Sequence, residues 1–324
     1  MNSFDIFKKQ VKIYWRLQKN HFKFVKEKTF LFYIFTMPAF GFIFFLIAKL
    51  ILFTKSKFFI RILSLNIFKS SIRFLDPEDT IYLSHNLPSY NNYKDNLDLD
   101  KTLINKKLKT ILDELNEDGF SDLGIIFSKE ICNSFIQHLK NKKCFNSQTQ
   151  LQSNGVSYNF DLDDPMFSDG KNAYYSFEPS TTYSFKPLKD FIENKDLQHV
   201  INHYLGFKSS IYFSSSWYNP TTNEKHYVHR LHRDYDDYKF LGLTIYWNEI
   251  SMSNGPLEYV PKSNKNKLIQ GPSKVLTGLA GQVFITDNFG LHRGNKVKEG
   301  CRYTTTIRYG KYFNPASVNN GFLS

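Results

Sequence analysis

Cysteine is scarce in this chain of 324 residues: Cys132, Cys144 and Cys301 are the whole supply. An odd count without paired spacing argues against a disulfide framework and for a reducing compartment. No Gly-rich loop of the phosphate-cradling kind is present, and no Ser or Cys stands in a nucleophile context. No internal repeat or long low-complexity tract occurs, which sets repeat architectures aside. Acidic residues are nearly missing from the first 75 positions, where 2 stand against 14 Lys and Arg. That imbalance accounts for the whole net charge of +12, so the remainder of the chain is neutral. A nucleic-acid partner would want a basic groove on the folded domain. None is expected.

What the chain has instead is aromatic side chains, 17% of its residues with 32 Phe and 20 Tyr, enough for a sizeable core. Its length suits one large domain and an appendage. In residues 4–28, Phe4, Phe7, Val11, Tyr14, Phe22 and Val25 fall near one helical stripe. Lys8, Lys9, Lys12, Arg16, Lys19, Lys23 and Lys26 fill much of the rest. A basic amphipathic helix of this kind lies on anionic membrane surfaces.

An uncharged run then extends from Phe30 to Ala48, and Leu50 to Phe53 follow Lys49. It is long enough to cross a bilayer, and its position and flanks are not those of a signal peptide. Both flanks are basic, with Lys23, Lys26 and Lys28 before it and Lys49, Lys55, Lys57 and Arg61 after it. Positive flanks stay in the cytoplasm. A hairpin bending at Pro38 to Gly41 satisfies both flanks, each arm dipping into the bilayer; a single span is the alternative. Phe58 to Leu75 mixes apolar and basic residues and suits the interface. The expected organisation is a membrane-associated segment over 1–75, a polar linker over 76–100, and a cytoplasmic domain over 101–324.

In that domain Leu103, Leu108, Ile111, Leu112 and Leu115 predict an amphipathic helix stopped by Asp118-Gly119. A strand over Phe120 to Phe127 follows, then a helix capped by Ser128 and running to Leu139. An irregular stretch reaches Pro187, and Leu188 to Tyr204 predicts one helix stopped by Gly206. Strands are expected over Ile211–Tyr218, Phe240–Trp247, Leu257–Val260, Gln282–Thr286 and Tyr303–Tyr309. Helices followed by many short strands predict a mainly β, α+β fold, a sandwich or barrel with flanking helices.

The chemistry gathers around Leu231 to Asp237. Residues two apart on an extended chain face one side, so His232 and Asp234 can present an imidazole and a carboxylate to one point. An Asp beside a strand can equally be turn chemistry, so the pair needs partners. His292 and Arg302 supply candidates. Two histidines and one carboxylate on one face of Fe(II) leave three positions open.

Those residues sit in an ordered set. After them come Ile245-Tyr246-Trp247-Asn248, Asn254-Gly255-Pro256-Leu257-Glu258-Tyr259-Val260-Pro261, Gly281-Gln282-Val283-Phe284-Ile285-Thr286-Asp287, Leu291-His292-Arg293-Gly294 and Arg302. The set resembles the phytanoyl-CoA dioxygenase family over roughly residues 103–312, and Asn116 to Phe120 resembles that family's opening. The resemblance implies a double-stranded β-helix, or jelly roll, that uses Fe(II), 2-oxoglutarate and O2. It implies His232, Asp234 and His292 as metal ligands and Arg302 as the guanidinium for the distal carboxylate of 2-oxoglutarate. Arg308, on the same strand face, is the rival.

Hydroxylation of a small-molecule or lipid-linked substrate is the implied outcome, with desaturation or cyclisation as variants of the same hydrogen abstraction. Asp234 fills the place a halide needs in related halogenases, so halogenation is not expected. A tethered, metal-free binding module is the alternative from another class. The chain departs from the family at Lys262, Asn264 and Gly242, where Gly, His and Lys are usual. His226 and His229 are expected to be polar or substrate-side, and Asp161, Asp163, Asp164 and Asp169 an exposed loop without the glycine placement of a calcium site.

Overall fold

The computed structural model describes residues 38–54, 75–87, 92–93, 98–103, 106–147, 157–224, 226–266, 268–269 and 271–311. The chain divides into two units between Leu75 and Asp76. In the first, α1 (Pro38–Thr54) is a 17-residue helix. The helix passes Gly41 unbroken, so the chain does not bend between Pro38 and Gly41 as expected. A glycine inside a helix costs only about 1 kcal/mol. Ile43, Leu46, Ile47, Leu50 and Phe53 are exposed at helical spacing, whereas Ala48 and Ile51 are buried. Among the described residues no helix is long and apolar enough to cross a membrane. The stretch 4–28, the start of the apolar run at 30–37, and residues 58–74 lie outside the described residues.

The second unit opens with α2 (Pro77–Asn86), inside the segment expected to be a linker. Pro77 starts it, the Asp79 carboxylate accepts a hydrogen bond from the Asp76 N–H at 3.1 Å, and Leu83 and Leu87 are fully buried. Pro77, Pro88 and the asparagines read as linker, but a proline at the first turn begins a helix as readily as it ends one. A short hairpin, β1 (Thr102–Leu103) and β2 (Lys106–Lys107), takes Leu103 out of the expected helix. That helix, α3 (Leu108–Asp118), stops at Gly119 with φ 83°, a conformation only glycine adopts freely.

Next come β3 (Phe120–Ile125) and α4 (Lys129–Leu139), the latter capped by the Ser128 hydroxyl accepting from the Ile131 N–H at 3.4 Å. The stretch expected to be irregular holds β4 (Lys143–Asn146), β5 (Ser157–Asn159), β6 (Tyr175–Phe177) and α5 (Pro179–Tyr183). The single helix expected over 188–204 is two, α6 (Lys186–Ile192) and α7 (Lys195–Leu205). They part because the Asn194 side chain caps α7, accepting from the Leu197 N–H at 3.1 Å; a side-chain acceptor there offers the backbone an alternative to continuing α6.

The remaining strands are β7 (Ser210–Pro220), β8 (Leu241–Tyr246), β9 (Leu257–Tyr259), β10 (Lys274–Leu276), β11 (Gln282–Thr286), β12 (His292–Gly294) and β13 (Cys301–Gly310). They build an eight-stranded sheet in the order β3-β11-β8-β13-β7-β6-β4-β5 and a three-stranded sheet in the order β10-β9-β12. Both are antiparallel at every pairing. The fold is therefore mixed α and β around a large antiparallel sheet, consistent with a jelly roll. One apolar cluster joins the sheets: Phe120, Tyr246 and Phe284 come from the large one, Leu257, Tyr259 and Leu276 from the small one. Tyr246 also bridges them with hydrogen bonds, its hydroxyl accepting from the Leu257 N–H and donating to the Leu276 carbonyl, both at 2.8 Å.

Cys132 and Cys144 are free and buried, and burial pushes their thiols up to about 11 and about 12. Lys262, at a position where the resemblance has glycine, takes φ 66°. Asn264 is held in a buried knot, donating to the Asp287 carboxylate at 3.2 Å beside the Tyr204 hydroxyl.

Candidate metal centre

Three elements bring His232, Asp234 and His292 together. His292 opens β12, and His232 pairs with it as an isolated bridge, each backbone N–H donating to the other's carbonyl at 2.9 Å. Two residues on, the Asp234 N–H donates to the Asn288 carbonyl at 3.0 Å. The extended alternation at 232 and 234 is thus set by pairing with the chain around His292. His232 Nε2 lies 3.7 Å from Asp234 Oδ1, and His292 Nε2 lies 3.5 Å from Asp234 Oδ2. One ligand atom from each of the three residues falls within 4.8 Å of the others, the one such group among the described residues.

The protonation pattern suits a cation. His232 Nδ1 is 2.7 Å from the Arg230 carbonyl and His292 Nδ1 is 2.9 Å from the Gly290 carbonyl. A carbonyl only accepts, so each Nδ1 carries the hydrogen and each Nε2 keeps its lone pair, directed at the cluster. Burial and the neighbouring His292 lower the His232 pKa below its ordinary value. Burial by itself would raise the Asp234 carboxyl, but Arg308 and the two imidazoles outweigh it and hold it well below the usual carboxylate range. In these tautomers the cluster offers two imidazole nitrogens and one carboxylate, the donor set of an N2O site for Fe(II).

Arg302, on β13, is buried without a carboxylate partner among the described residues. Its Nε donates to Asn219 Oδ1 at 3.3 Å, and one terminal nitrogen donates to the carbonyls of Gly255 and Asn295. These are neutral acceptors. Burial lowers its pKa, and burying a lone cation is costly unless an anion joins it. Beside it on β12, Gly294 has no side chain; a Cβ there would stand 3.4 Å from the guanidinium. His229 is pushed down to about 4 by burial and then by Arg302, so the surroundings are electropositive.

Arg308 stands differently. It donates to Asp234 Oδ2 at 2.7 Å and to Asp236 Oδ2, and its guanidinium lies over the Phe213 ring at 5.0 Å. Both of its ion pairs are with acids of the 234–236 segment. Its guanidinium is thus engaged by two carboxylates of this chain. Sequence reasoning missed Asp236 and Asn288 altogether. The alternation Asp234-Tyr235-Asp236 was the available signal for Asp236.

Among the described residues, His226 and His229 join no acid in a metal cluster. The His226 backbone N–H approaches His229 Nδ1 at 3.4 Å, and the His226 ring meets Tyr174 edge-on at 5.1 Å. In the acidic loop, Asp161, Asp164 and Asp169 accept backbone N–H bonds from residues two further on, at 3.2, 2.9 and 2.9 Å. That is turn chemistry.

No family model matches the chain, and no curated protein matches it. Solved structures do. AviO1 from Streptomyces viridochromogenes Tue57 is 16% identical, with 67% of this chain and 97% of that one covered and a TM-score of 0.43. SnoN, described as a non-heme alpha-ketoglutarate-dependent epimerase from nogalamycin biosynthesis, is 9% identical over 65% of this chain and 86% of its own, at 0.45. HygX from Streptomyces hygroscopicus, solved with nickel and 2-oxoglutarate bound, is 15% identical over 63% and 87%, at 0.46.

Proposed function

We propose that the protein is an Fe(II)- and 2-oxoglutarate-dependent dioxygenase of the phytanoyl-CoA dioxygenase type on a jelly-roll scaffold. Its substrate is a small or lipid-linked molecule, and its default outcome is hydroxylation. His232, Asp234 and His292 hold the metal, and Arg302 receives the distal carboxylate of 2-oxoglutarate. The observation that carries this reading is the pairing of a His-Asp-His cluster with a buried arginine that has no anionic partner among the described residues. Bound there, Fe(II) and 2-oxoglutarate supply O2 activation coupled to decarboxylation of the keto acid.

The protein's own groups do the rest. The Arg230 and Gly290 carbonyls fix both imidazole tautomers. Arg302, held by Asn219, Gly255 and Asn295, presents a fixed fork that can bind a carboxylate through parallel hydrogen bonds. In those tautomers each Nε2 presents its lone pair to the cluster.

Protein prepared without oxygen should develop a weak visible charge-transfer band when Fe(II) and 2-oxoglutarate are both added. His232→Ala should abolish the band, and succinate formation with it. Folded wild-type protein that binds no Fe(II) would leave the metal-free binding module as the better reading.

The second half of the proposal is membrane association through residues 1–75, with the catalytic unit on the cytoplasmic side. It is supported by the exposed stripe of α1, the basic imbalance around it, and the free thiols. Insertion of two large apolar side chains contributes about 1.5–3 kcal/mol each. Leu50→Ser with Phe53→Ser should therefore lower binding to phosphatidylserine-containing vesicles at least about tenfold in a flotation assay. Unchanged flotation would detach this helix from the proposal.

A further inference from the structure

One row of residues crosses the large sheet directly behind Asp234. In the strand register, Thr286 on β11 faces Gly242 on β8, Gly242 faces Arg308 on β13, and Arg308 faces Phe213 on β7. Residues directly opposite one another in antiparallel strands point to the same face. Thr286, Gly242, Arg308 and Phe213 therefore stand side by side on one face, and Arg308 shows which: its guanidinium reaches Asp234.

The gap in this row is Gly242. The Asn288 side chain fills it. A Cβ on residue 242 would fall 2.7 Å from Asn288 Oδ1, 2.8 Å from Nδ2 and 3.0 Å from Cγ, closer than real Cβ atoms approach. Thr286 fixes how the amide lies: its hydroxyl donates to Asn288 Oδ1 at 2.5 Å, which turns Nδ2 toward Asp234 Oδ2 at 3.3 Å. Arg308 reaches the same oxygen at 2.7 Å and is itself anchored by Asp236, whose Oδ2 also accepts from the Tyr212 hydroxyl at 2.9 Å. Both donors therefore take Oδ2. Oδ2 also lies 3.5 Å from His292 Nε2, and Oδ1 faces His232 Nε2 at 3.7 Å.

We propose that Asn288 and Arg308 are positioning residues that grip Asp234 Oδ2 and so fix how the carboxylate is presented between the two imidazoles, and that glycine at position 242 is what admits Asn288 to this grip. The inference rests on the metal-site reading above. A carboxylate held in one orientation keeps its oxygens in register with the two imidazoles that would hold the ion with it. A carboxylate released from Oδ2 is free to swing out of that register. Groups that orient a ligating carboxylate this way change metal affinity or activity by about 10–100-fold when removed.

The test is a set of Co(II) binding isotherms and Co(II) absorption spectra on the full-length protein, with far-UV circular dichroism to establish folding. Asn288→Ala is expected to weaken Co(II) binding about tenfold or more and to change the ligand-field bands, because the orientation of the carboxylate at the ion is no longer fixed. Gly242→Ala is expected to do the same by expelling the Asn288 side chain. The decisive comparison is the double variant. In an Asn288→Ala background the clash at position 242 is gone, so Gly242→Ala should have no further effect on affinity or spectrum.

Arg308→Met should weaken binding and Arg308→Lys should restore part of it. Should Arg308→Met fail to fold, with Asp234 and Asp236 left buried side by side, the Gly242 and Asn288 pair still decides the question. Folded Asn288→Ala with wild-type affinity and spectrum overturns the grip. Additive losses from Gly242→Ala and Asn288→Ala overturn the role of the glycine. Wild-type protein that binds no Co(II) removes the metal-site reading itself, an outcome distinct from either.

Discussion

Replacing Arg302 with glutamine is expected to raise the 2-oxoglutarate concentration needed for half-maximal charge-transfer absorbance by about two orders of magnitude, with little change in Fe(II) affinity. Removing one partner of a buried, hydrogen-bonded charge pair costs ~2–5 kcal/mol. Arg302 is buried and has only neutral acceptors among the described residues. Glutamine keeps a donor near Asn219 and Asn295 but loses the charge that an incoming carboxylate would meet.

The contrast with Arg308 makes the measurement specific. Arg308 is bound to Asp234 and Asp236, and its loss should appear first in metal affinity. An Arg302→Gln variant that binds 2-oxoglutarate like wild type would move the cosubstrate seat away from this strand. Anaerobic titrations of Fe(II), and then of 2-oxoglutarate at saturating Fe(II), separate the two effects.

Phe135→Ala is expected to cost about 3–5 kcal/mol of stability. Phe135 has no exposed surface. It stacks on Trp247 with ring centroids 3.9 Å apart and meets Phe185 edge-on at 5.0 Å, and Phe127 lies 5.0 Å from the same indole. This aromatic nucleus fastens α4 to the end of β8. The loss is a large share of the ~5–15 kcal/mol that holds a domain together. In a thermal melt it should appear as a drop of about 10 °C, at ~2–4 °C per kcal/mol for a domain of this size.

The consequence reaches the site through Trp247. Its indole N–H donates to Thr305 at 2.8 Å, and its backbone N–H donates to the Tyr303 carbonyl at 3.0 Å. Both acceptors lie on β13 between Arg302 and Arg308. Phe135→Leu, which keeps much of the buried volume, should cost clearly less. Equal melting temperatures for Phe135→Ala and wild type would mean that the nucleus repacks.

Much of the second unit was legible because its signals are local. Gly119 and Gly206 end helices by adopting positive φ, and Ser128 caps one with its own hydroxyl, so those boundaries follow from residue type. Gln282 to Thr286 and Leu257 to Tyr259 announce strands by apolar, β-forming composition. The short strands β4, β5, β6, β10 and β12 carry no such signal. Three or four residues such as Lys143-Cys144-Phe145-Asn146 become a strand only because a partner edge is present. The helix over Pro77–Asn86 was hidden for the opposite reason: its punctuation residues are equally at home in a linker, and what decides is the burial of Leu83 and Leu87.

The same division runs through the candidate site. The sequence by itself determined the donor chemistry: an imidazole and a carboxylate two residues apart on an extended segment, a second imidazole far along the chain, and an arginine beyond it. On an extended segment, period-two alternation makes the first pair face one way. Only the tertiary structure decided which arginine is committed to Asp234 and which has no anion among the described residues, because Arg302 and Arg308 share a face of one strand and differ only in what lies opposite. It also decided why residue 242 is a glycine, since the side chain that needs the space, Asn288, arrives from 46 residues away. Local residue type sets what a group can donate or accept; the partner that arrives across the sheet sets which of those capacities remains for a ligand.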